Sequence, residues 1–123
     1  MPAHILVIED NAVSRELMVH MLELADREAL GAPDGEQGLA LARSRRPDLV
    51  LCDIELPGID GFEVLRRLRA DPDTRNIPVL AVTSFSMLGN RERALAAGFD
   101  GFIAKPIIFS TFAEEIDSVI GAR

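Results

Sequence analysis

Three short, uninterrupted apolar runs, Ile5-Leu6-Val7-Ile8, Leu49-Val50-Leu51-Cys52 and Val79-Leu80-Ala81-Val82, constrain the fold of this chain more than any other feature. Each contains β-branched residues, each is too short for a stable helix, and none alternates with polar residues. A strand that is apolar at every position is covered on both faces, which is the pattern of a parallel sheet enclosed by helices. Gly101-Phe102-Ile103-Ala104 reads as a shorter fourth run. Glu28-Ala29-Leu30-Gly31 reads as a fifth at a sheet edge, because Gly and a charge suit a central strand poorly.

Helical patterns separate these runs. Val13, Leu17, Met21 and Leu24 recur at helical spacing, as do Phe62, Leu65 and Leu68, and then Phe112, Ile116 and Val119, so each set predicts a core-facing stripe. Asp60 with Glu63 is a capping pair for the third helix, Thr111 with Glu114 one for the last, and Gly98 a stop signal after Ala97. Strands alternating with helices imply right-handed crossovers, and hence an α/β, doubly wound parallel sheet of five units. The expectation is a single domain over residues 1–123, with no repeat, linker or output domain.

Composition narrows the function. With 123 residues, 48% of them hydrophobic, the chain supports one core. No apolar run approaches the roughly 20 residues of a membrane span, and no basic segment follows Met1. The expectation is a cytoplasmic protein without a membrane partner. A net charge of −7 argues against a nucleic-acid partner and for protein partners. The lone Cys52 lies in an apolar run and reads as a core thiol. His4 and His20 have no metal-ligand spacing, and neither reads as a phosphodonor.

In an open parallel sheet, chemistry gathers at the carboxyl ends of the strands. Glu9 and Asp10 follow the first run, Asp53 the third, Thr83 and Ser84 the fourth, and Lys105 with Pro106 the fifth. Carboxylates about 4 Å apart repel by about 4 kcal/mol per pair at an effective dielectric near 20, so something positive must stand among them. Oxygen ligands without His or Cys suit a hard cation such as Mg²⁺. Asp10 and Asp53 are expected as direct ligands, Glu9 through water, and the backbone carbonyl of Glu55 as a further ligand. With the metal present, Asp53 can attack a phosphoryl group to form an acyl phosphate. Lys105 would offer a compact positive charge and Thr83 a hydroxyl that senses the phosphoryl oxygens. Each residue alone has an ordinary reading as a cap, a turn residue or a solvated charge. Their recurrence at four strand ends is the signal.

With these residues in place, the sequence resembles the receiver domain of bacterial response regulators. The segments that carry the likeness are Ile5 to Asn11, Pro47 to Gly61, Ile77 to Ser84 and Ile103 to Ile107. The resemblance implies a flavodoxin-like five-stranded sheet of order 2-1-3-4-5 with five helices. It implies Asp53 as phosphoacceptor, Glu9 and Asp10 as the acidic pair, Thr83 as switch hydroxyl and Lys105 as paired cation. It further implies a cis Lys105-Pro106 bond and phosphotransfer from a sensor histidine kinase or a histidine phosphotransfer protein. Such a domain signals to a downstream protein target, as a monomer or weak homodimer, and is not a turnover enzyme.

Phe102 stands where the family often has Tyr, Ser84 follows the switch hydroxyl, Glu55 lies two residues past the acceptor, and the second strand region is short. The stretches Phe85 to Arg93 and Gly98 to Gly101 look like those of stand-alone cell-cycle receivers and of hybrid-kinase receivers. The family's output face, formed by the fourth helix, fifth strand and fifth helix, would carry Arg91, Arg93 and Phe102. A phosphatase of the haloacid dehalogenase type would want Asp where Glu55 stands. A flavodoxin-like cofactor site would want a hydroxyl- or glycine-rich loop where Glu9 and Asp10 stand.

Overall fold

The computed structural model describes residues 3–84 and 89–121. Five strands, β1 (His4–Ile8), β2 (Glu28–Ala32), β3 (Leu49–Asp53), β4 (Val79–Ser84) and β5 (Gly101–Lys105), alternate with α1 (Ala12–Leu24), α2 (Gly35–Arg45), α3 (Gly61–Ala70), α4 (Asn90–Ala97) and α5 (Phe109–Ile120). All strand pairs are parallel, and the order is β2-β1-β3-β4-β5, as the resemblance implies. The weak β2 lies at the edge, where its glycine and exposed Glu28 are tolerated. Among the described residues, no helix is long and apolar enough to cross a membrane.

Because successive side chains on a strand point to opposite faces, the apolar strands build two cores. Leu6, Ile8, Val50, Cys52, Val79 and Ala81 pack with α2, α3 and α4. Ile5, Val7, Leu49, Leu51, Leu80, Val82 and Ile103 pack with α1 and α5. Cys52 is fully buried, and burial raises its thiol pKa far above the ordinary value, which makes it the inert core residue expected.

The Asp60 cap is as read, with its carboxylate accepting from the Glu63 N–H at 2.9 Å, and Gly98 closes α4 at a φ of 111°. Two expectations are corrected. On α1 the buried residues are Met18 and Leu22; Val13 is 76% exposed, Leu24 63% and Leu17 43%, with Met21 half-buried. Periodicity favours the row that is apolar at every position, yet the sheet takes the row containing Arg15, Met18 and Leu22. Thr111 does not cap α5, which starts at Phe109 with Ile108, three residues before Thr111, as N-cap and no side-chain cap. The Ile108 carbonyl accepts from the Phe112 N–H at 2.9 Å, so the need to bury Phe112 and Ile116 sets the start of the helix.

Strands β3, β4 and β5 extend one or two residues beyond the apolar runs, so Asp53 and Lys105 are the last residues of their strands and Thr83 the penultimate residue of β4, rather than loop residues. Gly61, the first residue of α3, presses against this rim. A Cβ there would lie 2.5 Å from the Asp53 carbonyl oxygen and 2.7 Å from Ile54 Cα, both backbone atoms that cannot step aside. Gly61→Ala should therefore lower the urea-unfolding stability by about 1–3 kcal/mol. An unchanged midpoint would mean that α3 does not press on the end of β3.

Candidate functional site

Strand register and parity place the site. Ile8 pairs with Cys52, so Glu9 comes level with Asp53; Asp53 pairs with Val82, and Val82 with Ile103. Glu9, Asp53 and Lys105 each lie two positions beyond a residue of the α1/α5 core, namely Val7, Leu51 and Ile103. They therefore share a sheet face at the carboxyl end. β4 separates Lys105 from Asp53, and the long lysine stem spans that width.

The distances bear out this placement. Lys105 Nζ donates to Asp53 Oδ2 at 2.9 Å and stands 2.6 Å from Glu9 Oε1. The second contact is an ion pair without hydrogen-bond geometry, so this buried oxygen has a charge opposite it but no hydrogen bond. Asp53 Oδ1 accepts from the Glu55 N–H at 2.8 Å, and Glu9 Oε2 accepts weakly from the Asn11 N–H at 3.3 Å. Glu9 and Asp53 are buried, whereas Asp10 is exposed at the rim.

Two carboxylates and one ammonium leave one negative charge in excess in a nearly dry setting. Burial and hydrogen bonding to Asp53 raise the Glu9 pKa, Lys105 lowers it, and the result is about 7. Burial lowers the Lys105 pKa, but the negative charges of Glu9 and Asp53 beside the ammonium outweigh this and hold it above the ordinary value. The one ammonium balances one of two carboxylate charges, and the remaining charge calls for a proton or a second cation. One carboxylate oxygen each from Glu9, Asp10 and Asp53 lie within 4.8 Å of one another. This all-oxygen donor set, with its surplus charge, fits a hard divalent ion.

Thr83 is buried and follows Val82, the register partner of Asp53, while the Ser84 hydroxyl meets Glu55 Oε1 at 3.4 Å. The Lys105-Pro106 bond is cis. Arg91 and Phe102 come together, the guanidinium 5.9 Å from the ring centroid, but Arg93 lies over Phe62 of α3 at 5.1 Å. Residues 85–88, part of the cell-cycle likeness, lie outside the described residues.

Sequence reasoning missed Arg15, whose Nη1 donates to the Glu9 carbonyl at 2.8 Å. The available signal was its position three and seven residues before Met18 and Leu22, on the buried face. A cleft of about 550 Å³ lies at the opposite end of the sheet, lined by residues including His4, Glu28, Arg45 and Pro47; among the described residues, the group that could hold a metal ion is Glu9, Asp10 and Asp53.

Comparison with known proteins agrees with this geometry. The family described as "Response regulator receiver domain" matches residues 5–117. The polar-differentiation response regulator DivK of Brucella anthropi is 40% identical over 121 residues, covering 98% of both chains, and that of Brucella ovis is 39% identical over the same coverage. The receiver domain of sensor histidine kinase PA1611 from Pseudomonas aeruginosa, solved with magnesium coordinated in its active site cleft, superposes with a TM-score of 0.89 at 31% identity, covering 98% of this chain and 99% of that one. CheY4 of Vibrio cholerae gives 0.89 at 27% identity, covering 97% and 99%. Both the cell-cycle and the kinase-attached likenesses are thus represented, and the chain belongs to the response regulator receiver domain family.

Proposed function

We propose that the protein is a phosphoacceptor switch in which Asp53 takes a phosphoryl group from a phosphohistidine on a sensor histidine kinase or a histidine phosphotransfer protein. The observation that carries this reading is Lys105 Nζ set between Asp53 and Glu9 in a cluster that still holds surplus negative charge. Asp10, Asp53 and the Glu55 carbonyl would hold Mg²⁺, with Glu9 adding its charge. Bound there, the ion would neutralise the incoming phosphoryl oxygens.

One Asp53 carboxylate oxygen attacks phosphorus while the phosphorus–nitrogen bond to the donor histidine breaks. The departing imidazole takes a proton, and a mixed anhydride remains on Asp53. Lys105 follows the negative charge as it moves from the carboxylate to the phosphoryl oxygens. The Thr83 hydroxyl donates to one of those oxygens and is drawn toward it, which frees space for Phe102 to turn and reshapes the α4–β5–α5 face read by a downstream protein. Arg91, already over the Phe102 ring, belongs to that face; Arg93, over Phe62, lies at its margin. The likeness to polar-differentiation regulators supports a cytoplasmic cell-polarity relay as the setting, with the protein acting as a monomer or weak homodimer rather than as a turnover enzyme.

Intact mass after incubation with a small phosphodonor and Mg²⁺ should show one added phosphoryl group, absent in Asp53→Asn. Equal labelling of the variant would refute the assignment. Thr83→Ala should still be labelled, but without the shift of Phe102 ring resonances that accompanies labelling of the wild type. If those resonances move equally in the variant, Thr83 is not the sensor.

The raised Glu9 pKa sets a pH dependence. Between about 4.5 and about 7, native Glu9 holds a proton that the unfolded chain has released. Metal-free stability should therefore fall by roughly 1–3 kcal/mol as pH rises through that window. Mg²⁺ must displace the same proton, so its affinity should weaken about tenfold per pH unit below about 7. Glu9→Gln should flatten both profiles, and slopes that persist in this variant would point to another group.

A further inference from the structure

We infer that Arg15 is a positioning residue for the acidic pair: it pins the backbone between Glu9 and Asp10 through the Glu9 carbonyl, along a path that Gly31 leaves open. The inference rests on reading the cluster as a Mg²⁺ site.

The Glu9 backbone is held from two directions. Its N–H donates to the Ala32 carbonyl at 3.0 Å, and its carbonyl accepts from Arg15 Nη1 at 2.8 Å in a partly buried bond. Asp10 follows directly, and because its side chain is exposed, packing does little to place its carboxylate. The backbone must therefore aim it. Arg15 reaches this carbonyl from the sheet-facing side of α1, and its stem crosses the edge strand over Gly31. A Cβ at residue 31 would come 3.0 Å from Arg15 Cδ and 3.1 Å from Cγ. Gly31 is not at positive φ, so its backbone accepts alanine and only this contact opposes one.

A planar guanidinium on a packed stem suits this work, since its fork offers a donor in a fixed direction. Arg15 touches neither the phosphoryl group nor the metal in this scheme. It would act through the geometry of Glu9 and Asp10, as partners behind metal ligands commonly do, where loss weakens affinity by about 10- to 100-fold.

The chain has no Trp or Tyr, so the test is calorimetric titration of the full chain with MgCl₂ at about pH 8. Arg15→Ala should bind Mg²⁺ about 10- to 100-fold more weakly, while circular dichroism shows it folded. Arg15→Lys should recover part of the loss. Gly31→Ala should also weaken binding, and in the Arg15→Ala background it should add nothing, because both changes remove one contact. Wild-type affinity in Arg15→Ala, or an equal effect of Gly31→Ala with and without Arg15, would overturn the inference. Should Arg15→Ala fail to fold, Arg15→Lys and Gly31→Ala carry the test, and wild-type affinity in both would overturn it. Asp10→Asn separates the two levels. If it binds Mg²⁺ like wild type, the cation site itself is wrong and the inference falls with it. If it loses binding while Arg15→Ala does not, only the role of Arg15 falls.

Discussion

An unbalanced charge at the carboxyl end of the sheet governs this molecule. Glu9 and Asp53 are both buried, and Lys105 supplies one positive charge between them. Burying such groups is unfavourable unless geometry and hydrogen bonding compensate, and here compensation is partial, leaving Glu9 Oε1 without a hydrogen bond. A proton or a second cation completes the balance. The same incompleteness that strains the resting cluster leaves a place where added charge is accommodated, which is what a reversible chemical switch requires.

The fold confines that strain to one rim. Every strand is parallel, so all five carboxyl ends point the same way, and strict alternation sends apolar side chains into two separate cores before the chain reaches the acids. Close approach of helices depends on residues with little or no side chain. α2 buries Gly35, Gly38 and Ala42, and a Cβ at Gly38 would stand 2.4 Å from Ile8 Cδ1. Gly61 lets α3 begin directly against the Asp53 carbonyl. The rim is thus held from below by tight packing while its upper side stays open.

Much of this was legible in the sequence because its signals are local. Continuous apolar runs gave the strands, Asp60 and Gly98 marked helix ends by chemistry that acts within one turn, and acids and a lysine at successive strand ends marked the site. The less legible parts depend on distant groups. Which row of α1 turns inward follows from what the sheet offers to Met18 and Leu22, not from periodicity, since Val13, Leu17 and Leu24 have the same spacing. The start of α5 follows from the burial of Phe112 rather than from Thr111. α2 shows little apolar stripe because small residues form its contact face. The bond from Arg15 to the Glu9 carbonyl joins a side chain to a backbone atom, and residue types do not announce such pairs.

The helices differ in how firmly they are held. α3 buries Val64, Leu65 and Leu68, and α5 buries Phe112, Ile116 and Ile120. α4, among its described side chains, buries Ala94 and leaves Leu95 46% exposed. Its further attachments include two cation–π contacts, Arg91 to Phe102 on β5 and Arg93 to Phe62 on α3, interactions worth about 0.5–1 kcal/mol each at exposed positions. An element with so little apolar burial opens or shifts at low cost relative to its neighbours. Phe102 lies three residues before Lys105, the last residue of β5, so the lysine of the acid cluster and the ring beneath Arg91 of α4 belong to one strand. A single strand therefore links the acid cluster to the helix with the lighter apolar burial, while α3 and α5 stand on larger buried side chains.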